Sequence, residues 1–253
     1  MQPTLSQGIF LFAAALLAGT IDAIAGGGGL ITVPAILFTG LPTHFALGTN
    51  KGQSVFGSIA ALIRYARAGM IHRDRALPAF FLGFGGACLG AALALWIPPE
   101  KLKPIVVVML LCVAVYLTFR GNGPPATDKP VVQRPAVAAL AAFCIGAYDG
   151  FIGPGTGTFL IIAFVALLGD SLANASANAK VVNVGSNLAA LMLFAYKGKV
   201  VWAFAVPMVV AQICGGWIGA HIAVRVGNQL VRRVVLVVSI ALILKVSYDV
   251  AHS

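Results

Sequence analysis

Two lysines stand where lysine is costly. Lys51 lies in Gly48-Thr49-Asn50-Lys51-Gly52-Gln53-Ser54 and Lys180 in Ala177-Asn178-Ala179-Lys180-Val181-Val182-Asn183, each near the start of a long apolar stretch. A lysine at mid-membrane costs roughly 2.5–3.5 kcal/mol on insertion scales, so it faces a cavity or pathway unless its stem carries the ammonium back to the interface. Lys51, Ser54 and Ser58 stand at i, i+3 and i+7, and Lys180, Asn183 and Asn187 repeat the spacing. Each trio therefore shares one helix face. A cation heading a polar stripe suits an anion, which the ammonium neutralises and the hydroxyls and amides orient. Asn50, Gln53 and Asn178 are further candidates from the same stretches.

Upstream of each lysine, glycines beside a carboxylate interrupt the apolar pattern. The first break reads Asp22-Ala23-Ile24-Ala25-Gly26-Gly27-Gly28-Gly29; the second reads Asp149-Gly150-Phe151-Ile152-Gly153-Pro154-Gly155-Thr156-Gly157-Thr158. Lipid cannot satisfy the backbone groups that a broken helix frees, so such a break is buried in protein or faces a watery cavity. The restarting half-helix offers free N–H groups and the positive end of its dipole, and glycine lets a ligand approach closely. Gly27, Gly28 and Gly29, with Gly155, Thr156 and Gly157, are candidate anion contacts on that ground. Close helix packing through small residues is the competing explanation. A carboxylic acid buried in a membrane holds its proton more tightly. Asp22 and Asp149 are accordingly candidates for proton coupling, the plainer alternative being that each pairs with a lysine or caps a helix. Neither break matches G-x-x-x-x-G-K-[ST] or G-x-G-x-x-G, and no βαβ pattern surrounds them.

The elements that must position these residues are membrane helices. The 253 residues are 60% hydrophobic and 9% charged, with mean hydropathy +0.96, outside the composition of soluble domains. Apolar segments fall at about 5–25, 30–39, 44–66, 76–97 and 103–119, then at about 135–152, 157–168, 174–195, 199–224 and 230–249. A full crossing needs roughly 20 apolar residues, so an all-α, multi-pass membrane protein is predicted, with no room for a soluble domain. Met1–Phe10 lacks a basic signal region, so the first segment is expected to remain in the mature protein. The net charge of +10 sits in short loops around Arg64, Arg67, Arg73 and Arg75, a positive-inside pattern rather than a nucleic-acid surface. Cys88, Cys112, Cys144 and Cys214 read as small buried hydrophobes, and His44, His72, His221 and His252 as loop or packing residues. Neither set has metal-ligand spacing, and no metal or cofactor is expected.

The two sets of segments read as a duplication. At an offset of 127, Asp22 meets Asp149, Gly26 meets Gly153 and Gly28 meets Gly155; at 129, Gly40 meets Gly169, Lys51 meets Lys180, Pro78 meets Pro207, Gly86 meets Gly215 and Gly90 meets Gly219. The predicted organisation is a repeat at 1–119, a polar linker at 120–134 and a second repeat at 135–253, in five-plus-five segments: about eight full spans plus broken or re-entrant helices. Loop charge favours inverted over parallel halves by a small margin, placing Arg225, Arg232 and Arg233 with the 64–75 loop and Lys101, Lys103, Lys197 and Lys199 opposite.

Asp22–Gly29, Ala46-Leu47-Gly48-Thr49-Asn50-Lys51, Tyr148–Pro154 and Ala179-Lys180 resemble the sulfite exporter TauE/SafE family of membrane permeases, particularly its bacterial probable-transporter branch. The resemblance implies a bacterial inner-membrane transporter of two homologous halves, with substrates among sulfite, sulfonates and related small anions. Together with the residues, it predicts a secondary carrier exporting such an anion, with proton coupling as an open reading and the lipid bilayer and the anion as partners. An anion channel is the first alternative, and a membrane-embedded enzyme a weaker one, since no clustered nucleophile, base or metal ligands are present. The Gly90 and Gly219 faces suit either a homo-oligomer interface or a contact within the chain.

Overall fold

A computed structural model describes residues 2–119 and 135–226. The linker 120–134, the segment predicted at 230–249, and Arg232, Arg233 and His252 lie outside these residues. The described chain is all helical: α1 Leu5–Ala25, α2 Gly29–Phe38, α3 Thr43–Arg67, α4 Arg73–Trp96, α5 Pro99–Phe119, α6 Pro135–Phe151, α7 Thr156–Leu168, α8 Leu172–Tyr196 and α9 Trp202–Val226. Among the described residues α1, α4, α8 and α9 are long and apolar enough to cross a membrane. Local chemistry sets several boundaries. Thr4 and Gln7 form a reciprocal capping box at the start of α1. Ser171 accepts the Asn174 N–H at the start of α8, and Gly169, in the left-handed region, closes α7. At 1.5 Å per residue, α2 and α7 reach only about 15 and 20 Å, roughly half to two thirds of the hydrocarbon thickness.

Contacts fix the helix directions. Val201 N–H donates to Thr49 Oγ1 at 3.0 Å and Arg64 Nε to His221 Nδ1 at 3.1 Å, so α9 runs parallel to α3. Gly215 and Gly219 lie on the backbone of Leu16 and Thr20, so α1 runs the same way. The His72 N–H donates to Asn178 Oδ1 at 3.0 Å, while Gly86 and Gly90 rest on Phe143 and Ala147; α4, α6 and α8 are thus parallel to one another. Tyr65 reaches Ser176 at one end of α3, and Gly48 packs on Phe194 at the other, so α3 and α8 are antiparallel. The arginine-bearing ends of α3 and α9 consequently share one side of the molecule, and Lys197 and Lys199 lie on the opposite side. α4 packs on α6 and α8, and α9 packs on α1 and α3. Each block of helices therefore lends one helix to the other.

Glycines make that exchange possible. A methyl added at Gly90 would lie 1.8 Å from the Ala147 carbonyl oxygen, whereas one at Gly85 would meet nothing nearer than 3.9 Å. Gly90→Ala is expected to destabilise the protein by about 3 kcal/mol through overpacking, read as a lowered melting temperature in detergent, with Gly85→Ala melting like wild type. The Gly90 and Gly219 faces serve contacts within the chain. The cysteines depart from expectation: Cys112, Cys144 and Cys214 are exposed on the outside of the helix assembly and Cys88 is half-buried. Lipid accepts a small apolar side chain as readily as the core does, so an apolar pattern alone does not place it inside.

Candidate functional site

The two breaks meet at the centre of the molecule. Gly26 ends α1 with φ 79°, and a methyl on it would come within 2.1 Å of the Gly157 backbone, so both the conformation and the clearance require glycine. The carbonyls freed at the end of α1 are taken up by hydroxyls from other helices. Tyr65 Oη donates to Ala23 O at 2.8 Å, Ser176 Oγ lies 3.0 and 2.9 Å from Ala23 O and Ile24 O, and Thr158 Oγ1 donates to Ala25 O at 2.7 Å. In the second break Tyr148 Oη donates to Pro154 O at 2.6 Å. Hydroxyls of the protein thus satisfy these four carbonyls, as a bilayer interior demands.

The lysines and aspartates pair crosswise. Lys51 Nζ lies 2.7 Å from Asp149 Oδ1, and Lys180 Nζ lies 2.6 Å from Asp22 Oδ2. Gly153, at φ 95°, makes room for the first pair: a methyl there would lie 2.8 Å from both Asp149 Oδ1 and Lys51 Nζ. The pairs differ in their surroundings. Asp149 also accepts from Thr156 Oγ1 at 3.0 Å and from Ser186 Oγ, and its side chain is 5% exposed. Among the described residues Asp22 accepts besides its lysine only the Gly28 N–H at 3.2 Å, and its side chain is 24% exposed, into the central cavity. The N-terminus of α2, read from sequence as an anion site, thus already holds the chain's own carboxylate.

That cavity measures about 30 Å³, room for about two waters and too small for a sulfonate without rearrangement. Asp22, Gly28, Gly29, Asn50, Lys51, Ser54, Ser58, Asp149, Thr156, Gly157, Asn183 and Asn187 line it. Asn183 Oδ1 is buried there without a hydrogen-bond partner among the described residues, while Asn187 Nδ2 donates to Asn183 O at 2.8 Å. Asn50 Oδ1 accepts from Thr32 Oγ1 at 2.6 Å and from Gln53 Nε2 at 2.9 Å.

Other candidates fall elsewhere. Lys180 is fully buried behind Asp22, outside the cavity wall. Gln53 turns its amide to Asn50 and Ser54, Asn178 ties down the His72 N–H, Gly155 faces Val113 of α5, and Gly27 does not line the cavity. Among the described residues no group of His, Cys, Asp and Glu is placed to hold a metal ion.

Gln212, Gly26 and Gly153 line the cavity and Ser186 bonds Asp149, although none of the four is among the candidates drawn from sequence. Gln212 of α9 lines the cavity and is 4% exposed, lying where methyls on Gly19 and Gly57 would meet its Oε1 at 2.8 and 2.4 Å. Its signal in the sequence is a lone amide in the apolar run Val209-Val210-Ala211-Gln212-Ile213. Gln212→Leu is expected to raise the half-saturating substrate concentration about tenfold, the loss of one hydrogen bond to a charged group, without lowering the melting temperature.

A family model described as "Sulfite exporter TauE/SafE" matches residues 11–246. The "Probable membrane transporter protein ORF9" of Sinorhizobium sp is 40% identical over 244 residues, covering 96% of this chain and 93% of that protein. The "Probable membrane transporter protein YfcA" of Escherichia coli K12 is 37% identical over 240 residues, covering 94% and 89%. A "Probable membrane transporter protein" of Haemophilus influenzae is 37% identical over 242 residues, covering 94% of each chain.

Proposed function

The chain belongs to the sulfite exporter TauE/SafE family of membrane transporters, and from that premise we propose that it is a secondary carrier exporting a small sulfur oxyanion or organosulfonate, together with a proton, across the bacterial inner membrane. The observation that carries this reading is the crossed pairing of Lys51 with Asp149 and Lys180 with Asp22 around one small polar cavity. Two ammonium groups and two carboxylates sum to zero charge. Adding an anion there leaves one uncompensated negative charge in a low-dielectric interior, which is expensive. A proton on one carboxylate restores neutrality and releases its lysine to face the anion.

Asp22 takes the proton in this scheme, because its side chain is 24% exposed against 5% for Asp149 and because it has the fewer partners among the described residues. Lys51 faces the anion from the wall, the freed Lys180 from behind Asp22, and Ser54, Ser58, Asn183, Asn187 and Gln212 orient its oxygens. Asp149, held by Lys51, Thr156 and Ser186, keeps the second pair in place.

The chain is built, in the same proposal, as two inverted repeats at 1–119 and 135–253 joined by 120–134, with about eight full spans and α2 and α7 as half-helices. Support comes from helices at corresponding sequence offsets running in opposite directions, α3 against α8, and from Arg64, Arg67 and Arg225 sharing one side. Alternating access then exchanges the roles of the two halves about the central pairs.

Purified protein in proteoliposomes, offered sulfite, sulfoacetate, taurine, sulfate and thiosulfate, is expected to give saturable flux of at least one of them, accelerated by the same anion on the opposite side. Non-saturating conductance without counterflow would make it a channel and overturn the carrier reading.

A further inference from the structure

A second cavity, of about 220 Å³, lies between α4, α6, α7 and α8 at the arginine-bearing side of the molecule. Its walls are apolar: Ala79, Leu82, Ala138, Ala142, Phe164 and Leu168. One end is closed by Arg75, whose Nη2 donates to Asp170 Oδ1 at 2.9 Å, with His72 Nε2 3.7 Å from the same oxygen. Asp170 Oδ2 is buried and has no hydrogen-bond partner among the described residues. A buried carboxylate oxygen without a donor is costly, so the position calls for one.

The positions related by the sequence offsets give an internal comparison. Phe204 stands 129 residues after Arg75, Met208 the same distance after Ala79, Leu41 129 before Asp170, and Leu11 127 before Ala138. Those four residues pack together in a buried apolar cluster of α1, α9 and the α2–α3 turn. The same place is therefore filled with side chains on one side of the molecule and hollowed by alanines, with an ion pair at its end, on the other. Exposed Leu77, Phe81 and Leu140 stand on α4 and α6 next in sequence to the lining residues Ala76, Leu82 and Ala139, so the surface beside the cavity is apolar. Such a surface faces acyl chains, so what enters comes from the bilayer.

We propose that this cavity is a phospholipid site that takes one acyl chain of a phosphatidylethanolamine from the leaflet on the arginine-bearing side. The ammonium donates to Asp170 Oδ2, and the phosphate meets the guanidinium donors of Arg75 left over from its bond to Asp170. A lone anionic headgroup would bring its charge against the Asp170 carboxylate and leave Oδ2 unpartnered. The ammonium is what separates the proposed ligand from phosphatidylglycerol.

The test is native mass spectrometry of the full chain extracted from vesicles holding equal parts of phosphatidylethanolamine, phosphatidylglycerol and phosphatidylcholine. Wild type is expected to retain one phosphatidylethanolamine through detergent washing. Ala79→Met, which installs the residue found at position 208, is expected to lose it about tenfold while melting at or above the wild-type temperature. Asp170→Asn is expected to lower the preference for phosphatidylethanolamine over the other two lipids about tenfold, one charge-assisted hydrogen bond's worth. Retention of no lipid by wild type, equal retention of all three, a preference for phosphatidylglycerol, or undiminished retention by Ala79→Met would each overturn the proposal. Should Asp170→Asn fail to fold, the wild-type headgroup preference and the Ala79→Met result decide it.

Discussion

Lys51→Met is expected to destabilise the protein by about 3–5 kcal/mol and to abolish transport, while the double variant Lys51→Met/Asp149→Leu regains most of the stability and none of the transport. Removing one member of a buried ion pair leaves the other charge without compensation, whereas replacing both by apolar groups is often neutral or stabilising. The Lys51 and Asp149 side chains are 2% and 5% exposed, so either charge left alone would have almost no water to solvate it. A pair that served only packing would give a double variant restored in both respects. Melting temperature and proteoliposome flux, measured on the same preparations, separate the two roles. Lys180→Met is expected to stop transport at a smaller cost in stability, because its partner Asp22 is 24% exposed against 5% for Asp149 and keeps the Gly28 N–H.

Asp22→Asn is expected to flatten the pH dependence of transport. With a permanently charged organosulfonate as substrate, wild-type flux rises as pH falls on the loading side, by up to about tenfold per pH unit, since one proton binds with each anion and linkage is reciprocal. Asparagine keeps the shape of the side chain and carries no charge, so it presents the protonated form of the site at every pH. The anion then moves without its proton. Asp149→Asn is expected to differ: it leaves Lys51 buried against an amide among Thr156 and Ser186 and chiefly lowers the melting temperature. Equal behaviour of the two variants would remove the division of roles between the aspartates.

Much of the framework was readable from the chain because membrane segments write their length and polarity into sequence. The helices of the described residues begin and end within a few residues of the apolar runs, including the half-helices after each glycine break. The i, i+3, i+7 stripe of Lys51, Ser54 and Ser58 does line the cavity, as do Asn183 and Asn187. Lys180 does not, because a stripe fixes a helix face and leaves open which neighbour stands in front of it, and Asp22 stands there. The crosswise pairing was hidden for a related reason. Lysine with aspartate inside one half and across the halves make the same sequence pattern, and only the packed chain shows Asp149 of α6 beside Lys51 of α3. Gln212 went unread because a single amide in an apolar helix acquires meaning from Gly19 and Gly57 on two other helices. The exposed cysteines follow from lipid being an apolar solvent, which erases the usual distinction between inside and outside.

The central claim is that an anion enters the paired site only with a proton on Asp22, and the internal pH of proteoliposomes during uptake of methanesulfonate tests it most directly. The expected result is internal acidification matching the anion one for one, insensitive to membrane potential in wild type and absent in Asp22→Asn, whose uptake becomes driven by potential. Saturable wild-type uptake with no acidification, carrying net negative charge, would contradict it.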